Sequence, residues 1–136
     1  MSKICIYGAG AIGGFMAARL HEAGAEVSLI ARGPHLEAIR KAGLRLSYDG
    51  REMVYKLPAT DNPAEFGPQD YIIIALKANA LTRVVPSLQC LMSENTSIVS
   101  AVNGVPWWYF YRANTGTALD DQSLSSVDPG AAIWNG

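Results

Sequence analysis

Lys3-Ile-Cys-Ile-Tyr-Gly8-Ala-Gly10-Ala-Ile-Gly13-Gly14 opens the chain with a β-branched and aromatic run that breaks into glycines. The run Lys3 to Tyr7 fits a buried parallel strand, and its stop at Gly8 marks a turn. Beyond the glycines, Ile12, Phe15, Met16 and Leu20 recur at helical spacing, and Gly24 stands where a left-handed C-terminal cap belongs. G-x-G-x-x-G between strand and helix has a physical logic. Gly8 permits the tight turn, Gly10 lets a diphosphate approach the backbone, and Gly13 lets helix and strand pack closely. The free N–H groups and positive dipole end of the helix then face that anion. Gly8, Ala9, Gly10, Ala11, Ile12 and Gly13 are therefore the candidate binding loop, the alternative being a glycine-rich turn without a ligand.

Outward from this stretch the pattern keeps alternating. Glu26 to Ile30 reads as a second strand, and Gly33-Pro34 opens a short helix carrying Leu36 and Ile39 that closes at Gly43. Leu44, Leu46 and Tyr48 alternate up to Asp49-Gly50, and Met53, Tyr55 and Leu57 alternate beyond it, which predicts an antiparallel hairpin. Pro58 to Pro68 reads as a loop, and Tyr71 to Leu76 as a central strand buried on both faces. Leu81, Val84, Val85 and Leu88 predict one more helix, kinked or shortened by Pro86. Ser97 to Val102 is the next strand, ending at Asn103-Gly104, and Arg112 to Gly136 carries no clear final element. The expected fold is α/β, a Rossmann-type doubly wound, mostly parallel sheet with helices on both faces and a β-hairpin insertion, with ligands at the carboxyl ends of the strands.

At 136 residues the chain suits one domain, 1–136, and is shorter than a two-domain dehydrogenase. Eleven basic and twelve acidic residues leave a net charge of -1, scattered without runs, so nucleic acid is not an expected partner. The longest strongly apolar stretch, Tyr71 to Leu76, falls far short of the roughly 20 residues a membrane-spanning helix needs, and Lys3 leads into a glycine-broken strand rather than a secretory signal. A cytoplasmic protein without a membrane partner is expected. Cys5 and Cys90 lack a second cysteine or a histidine at metal-ligand spacing and read as reduced packing residues, with no metal.

Four further places bear on chemistry. The second strand ends Ile30-Ala31-Arg32, where an NAD-binding domain usually carries Asp or Glu for the ribose hydroxyls. A guanidinium there suits the 2′-phosphate of NADP (NADPH), the alternative being a surface arginine lying along the sheet. Lys77 follows the most apolar strand, placed either to meet cofactor phosphate or substrate or as a solvated cation leading into the next helix. Asn103 follows the last strand, either bridging nicotinamide ribose and substrate through an amide that donates and accepts, or forming an ordinary Asn-Gly turn. His21 and His35 have no visible catalytic partner and read as surface or structural residues. Trp107-Trp108-Tyr109-Phe110-Tyr111 is too dense to point wholly into one core. It reads either as cover for the cleft or for another domain, or as a helix with one buried face.

Taken together, Gly8 to Gly14, Arg32, Leu76-Lys77-Ala78 and Val102-Asn103-Gly104 resemble the N-terminal domain of ketopantoate reductases (2-dehydropantoate 2-reductases) over residues 3 to 110. The resemblance implies NADPH-dependent reduction of 2-dehydropantoate to pantoate, in the pathway to pantothenate and coenzyme A. It implies that Gly8 to Gly13 bind the diphosphate, that Arg32 meets the 2′-phosphate, that Lys77 contacts cofactor, and that Asn103 touches both cofactor and substrate. It also implies a helical C-terminal domain that carries a general-acid lysine and a substrate-holding glutamate, neither with a counterpart before Gly136. The expectation is a piece of a longer protein that binds cofactor without full turnover. A reductase of another 2-oxo acid and a non-catalytic NADP-binding module are the alternatives. The expected partner is a small 2-oxo acid, with a homo-oligomer through exposed aromatic surface if those rings stay uncovered.

Overall fold

The structure is a computed structural model, and it describes residues 1–135. Along the chain run β1 (Lys3–Tyr7), α1 (Ala11–Glu22), β2 (Glu26–Ile30), α2 (Gly33–Ala42), β3 (Leu44–Tyr48) and β4 (Arg51–Tyr55). They are followed by β5 (Ala59–Thr60), β6 (Tyr71–Ile74), α3 (Ala78–Leu88) and β7 (Ser97–Ser100). Five strands form a parallel sheet in the order β5-β2-β1-β6-β7, and β3 and β4 form a separate antiparallel hairpin. This is the doubly wound α/β fold expected from the sequence. The winding reverses between β1 and β6, where such sheets bind ligands at their carboxyl ends.

Cys5 and Ile6 in β1, Leu29 in β2 and Ile72 in β6 are closed to solvent, as a parallel sheet covered on both faces requires. Ile4, Ile6, Val27, Leu29, Leu36, Ile39, Leu44 and Ile73 meet in one core. In helix α1, Met16 and Leu20 pack against the core at the expected spacing, and Ile12 departs from it. The buried residues of the helix are Gly13, Gly14, Ala17 and Ala18, while Ile12 is 61 % exposed. The helix lies too close to the strands for a large side chain between them, so the contact stripe is made of small residues. Its end is as expected: Gly24 takes φ 90° and its N–H bonds to the carbonyl of His21, while the Ala25 N–H bonds to that of Leu20, a Schellman closure.

The hairpin turns through Asp49 and Gly50, both with positive φ, as the two-residue turn demands. It rests on α1 through the Phe15 and Tyr48 rings and through the Tyr55 hydroxyl, which donates to the Glu22 carboxylate. His21 packs edge-on against Tyr55, a surface role. Three readings need correction. The stretch read as a loop from Pro58 to Pro68 contains β5, because the Leu29 and Ala31 N–H groups on the β2 edge bond to the carbonyls of Pro58 and Thr60, and a 3-10 turn at Pro63–Glu65. Helix α3 continues through Pro86 to Leu88 and tightens into a 3-10 turn at Gln89–Leu91, since a missing N–H this near the end costs a single bond. The β6 and β7 strands stop at Ile74 and Ser100, two residues short of their expected ends.

The chain divides into two compact units, one of Met1–Leu76 with Ser87–Ala101, the other of Lys77–Pro86 with the described residues from Val102 onward. In the second unit the aromatic run forms turns rather than a helix. Trp107 meets Trp108 and Trp134 edge-on at 5.4 and 6.1 Å, and Tyr111 meets Trp134 at 5.5 Å. The buried Asp128 carboxylate accepts the N–H groups of Ile133 and Trp134, each at 2.9 Å, and so fixes the turn that carries Trp134. The segment after Arg112 therefore has a local order that its sparse apolar residues conceal.

Candidate cofactor-binding site

Backbone hydrogen bonds hold the glycine loop at the carboxyl ends of the central strands and close it on itself. Gly8 N–H donates to Ile30 O at 3.0 Å, Ala75 N–H to Tyr7 O at 2.9 Å, and Gly14 N–H to Gly10 O at 2.7 Å. The three glycines are required for different reasons. Gly8 has φ 108° and a Cβ there would lie 2.8 Å from the Ala75 carbonyl oxygen. At Gly13 a Cβ would lie 2.0 Å from the Gly8 carbonyl oxygen. At Gly10 a Cβ would meet nothing within 4 Å. The first two are fixed by the protein's own packing, whereas the third borders open space.

Gly10 caps α1 and no side chain satisfies the first-turn N–H groups. Those of Ala11, Ile12 and Gly13 are thus left to a ligand or water, with the positive end of the helix dipole behind them. Open space at Gly10 and unpaired donors at the helix start fit a dinucleotide diphosphate.

Arg32 is exposed and occupies the cap position of α2, two residues past β2. Because Gly8 is bonded to the end of β2, the structure brings the loop and Arg32 together in the first unit. Among the described residues no hydrogen bond or ion pair engages the Arg32 guanidinium. Lys77 and Asn103 belong to the second unit. Lys77 is exposed just before α3, its carbonyl accepting from Ala80 N–H at 2.9 Å. Asn103 is exposed beyond β7, followed by Gly104 at φ 102°.

His35 carries a role that its sequence position hides. Its Nε2 lies 2.6 Å from the carbonyl oxygen of Ala9, inside the glycine loop. The only hint in the sequence is its place three residues after Arg32, in the first turn of the helix behind the loop. Cys5, beneath the loop in β1, is pushed up from 9.0 to about 12 by burial, against a smaller lowering by the Ser28 hydroxyl. It is a closed packing residue, as expected. Cys90, expected in the same role, is exposed, because it lies on the 3-10 turn after α3. Among the described residues no group of three His, Cys, Asp or Glu could hold a metal ion, and no helix is long and apolar enough to cross a membrane.

Residues 4–106 match the family model for ketopantoate reductase PanE/ApbA. The chain is 49% identical over 133 residues to a 2-dehydropantoate 2-reductase of Mesorhizobium japonicum, covering 97% of this chain and 40% of that protein. A solved structure of a candidate ketopantoate reductase from Ralstonia solanacearum MolK2 superposes with a TM-score of 0.91 at 43% identity, over 99% of this chain and 41% of that one. A D-mandelate dehydrogenase solved with NADH and anilino(oxo)acetate gives 0.71 at 33% identity, over 76% of this chain and 34% of that one. The chain thus spans about two fifths of the length of the Mesorhizobium and Ralstonia relatives. With the glycine loop, the doubly wound sheet and the family match in agreement, this chain belongs to the ketopantoate reductase PanE/ApbA family of oxidoreductases.

Proposed function

We propose that the chain is the cofactor-binding part of a cytoplasmic NADPH-dependent reductase that converts 2-dehydropantoate to pantoate, a step toward pantothenate and coenzyme A. One observation carries the choice of cofactor: Arg32, and not a carboxylate, stands exposed where the β2 end meets the glycine loop. A planar guanidinium binds a 2′-phosphate through paired hydrogen bonds, whereas a carboxylate there would repel it. The relatives named 2-dehydropantoate 2-reductase support the substrate.

NADPH, when bound, supplies the hydride that reduces the keto carbon. The residues of this chain bind and orient it. With the dinucleotide bound, the first-turn N–H groups of α1 would take the diphosphate and Arg32 the 2′-phosphate, while the family resemblance gives Lys77 as a further cofactor contact and Asn103 as a contact of cofactor and substrate. Negative charge developing on the carbonyl oxygen calls for a proton donor. The family resemblance gives that role to a lysine of a helical C-terminal domain, whereas this chain spans about two fifths of the length of the Mesorhizobium and Ralstonia relatives.

A second reading, an NADH-dependent reductase of another 2-oxo acid, is favoured by the D-mandelate dehydrogenase bound to NADH at 33% identity. Calorimetric titration with NADPH and NADH, on the native chain and on Arg32→Ala, separates the two. Tighter NADPH binding that Arg32→Ala selectively weakens supports the first; equal binding, or preference for NADH, supports the second. Turnover of 2-dehydropantoate against a panel of 2-oxo acids by the full-length protein then fixes the substrate, and binding with no turnover of any would leave a non-catalytic NADP-binding module.

A further inference from the structure

The Ala9 carbonyl is an acceptor only, so the His35 Nε2 that lies 2.6 Å from it carries the proton and donates. Ala9 is 4% exposed, and the peptide that joins it to Gly10 is trans and planar. In such a plane the C=O and the following N–H point in opposite directions. Fixing the Ala9 carbonyl toward α2 therefore turns the Gly10 N–H away from α2. Little else sets that plane, since Gly10 has no side chain and borders open space. Glycine rotates its flanking peptides at low cost.

On the dinucleotide-binding reading given above, we infer that His35 is a positioning residue that locks the Ala9–Gly10 peptide so that the Gly10 N–H faces the diphosphate. The same side chain ties the glycine loop to the helix capped by Arg32. The diphosphate contact and the 2′-phosphate contact then ride on one frame, set before the ligand arrives. Preorganised donors bind more tightly because their ordering cost is met on folding. His35 is exposed at the surface, so replacing it leaves the core intact.

The test titrates NADPH and NADH into the full chain and into His35→Ala, His35→Gln and Arg32→Ala. Both dinucleotides share the diphosphate, so His35→Ala weakens both by the same factor, about five- to tenfold for one lost hydrogen bond. His35→Gln keeps an N–H at similar reach and recovers most of the affinity, whereas Arg32→Ala weakens NADPH selectively. Unchanged binding of both by His35→Ala overturns the inference, as does no recovery with glutamine. Loss confined to NADPH overturns it too, placing His35 on the 2′-phosphate instead. Nitrogen-15 NMR of the native chain at pH 8 gives a second measurement that needs no dinucleotide. An Nε2–H ring, with a Gly10 amide signal that moves in His35→Ala, supports the lock; an Nδ1–H ring or an unmoved Gly10 amide refutes it. If the native chain binds neither dinucleotide, the functional reading falls while the NMR outcome still decides the lock.

Discussion

A methyl group added at Gly13 would sit 2.0 Å from a carbonyl oxygen, and one added at Gly10 would touch nothing within 4 Å. The two substitutions should therefore fail in different ways. Gly13→Ala is expected to cost at least about 3 kcal/mol in urea unfolding, because backbone must move. Gly10→Ala should unfold like the native chain yet lose dinucleotide binding by calorimetry, since its methyl fills the space the diphosphate needs. Cys5 gives a prediction in pH. Its pKa is raised from 9.0 to about 12, so the folded state holds its proton where the unfolded state has lost it. The associated stability is whole below pH 9 and is lost as pH climbs toward 12, at up to about 1.4 kcal/mol per unit. Unfolding at pH 8 and pH 10.5 should show this slope, and Cys5→Ala should flatten it. Gly8 and Gly13 were legible because each serves a backbone need that only glycine meets, and Gly10 because the motif's spacing singles it out. His35 was not, because its partner is a backbone carbonyl 26 residues away, a contact that leaves no periodicity in the sequence.

Among elements, those with a regular side-chain pattern or a defined turn were readable: β1, β2, α2 and the hairpin lie where alternation and Asp49-Gly50 place them. Strand β5 was hidden because two residues cannot alternate, and its pairing is owed to the free edge of β2. In α1 the periodicity located Met16 and Leu20 against the core but included the exposed Ile12 and passed over Gly13, Gly14, Ala17 and Ala18, which make the closest contact. Closeness of approach, which selects small residues there, does not register as hydrophobicity. The Schellman end of that helix is testable. Gly24 has φ 90° and open space around its Cβ position, so Gly24→Ala should cost about 1 kcal/mol from backbone strain alone, read as a lowered thermal midpoint.

For the whole molecule, β7 is an edge strand whose Ile98 and Val99 are 46% and 41% exposed, and in the second unit Tyr109 and Tyr111 are exposed as well. Unpaired edges and apolar patches favour association. Light scattering over a concentration series should show self-association of this chain. Val99→Lys should suppress it if the edge is the contact, and Tyr109→Ser if the aromatic surface is. The order of strands bears on how the binding loop comes into being. The wall against Gly8 is Ala75 and Leu76, Ala75 also bordering Gly13, and β1 reaches β6 only across a separation such as the 67 residues between Lys3 and Asp70. The hairpin closes locally, while the β1–β6 ladder bears the entropy of a long loop. During refolding the hairpin can form early, but the phosphate cradle has no floor until that ladder closes. Affinity for the dinucleotide is thus a late-arriving property of the folding chain, and an excess of ligand should draw the last folding step toward completion.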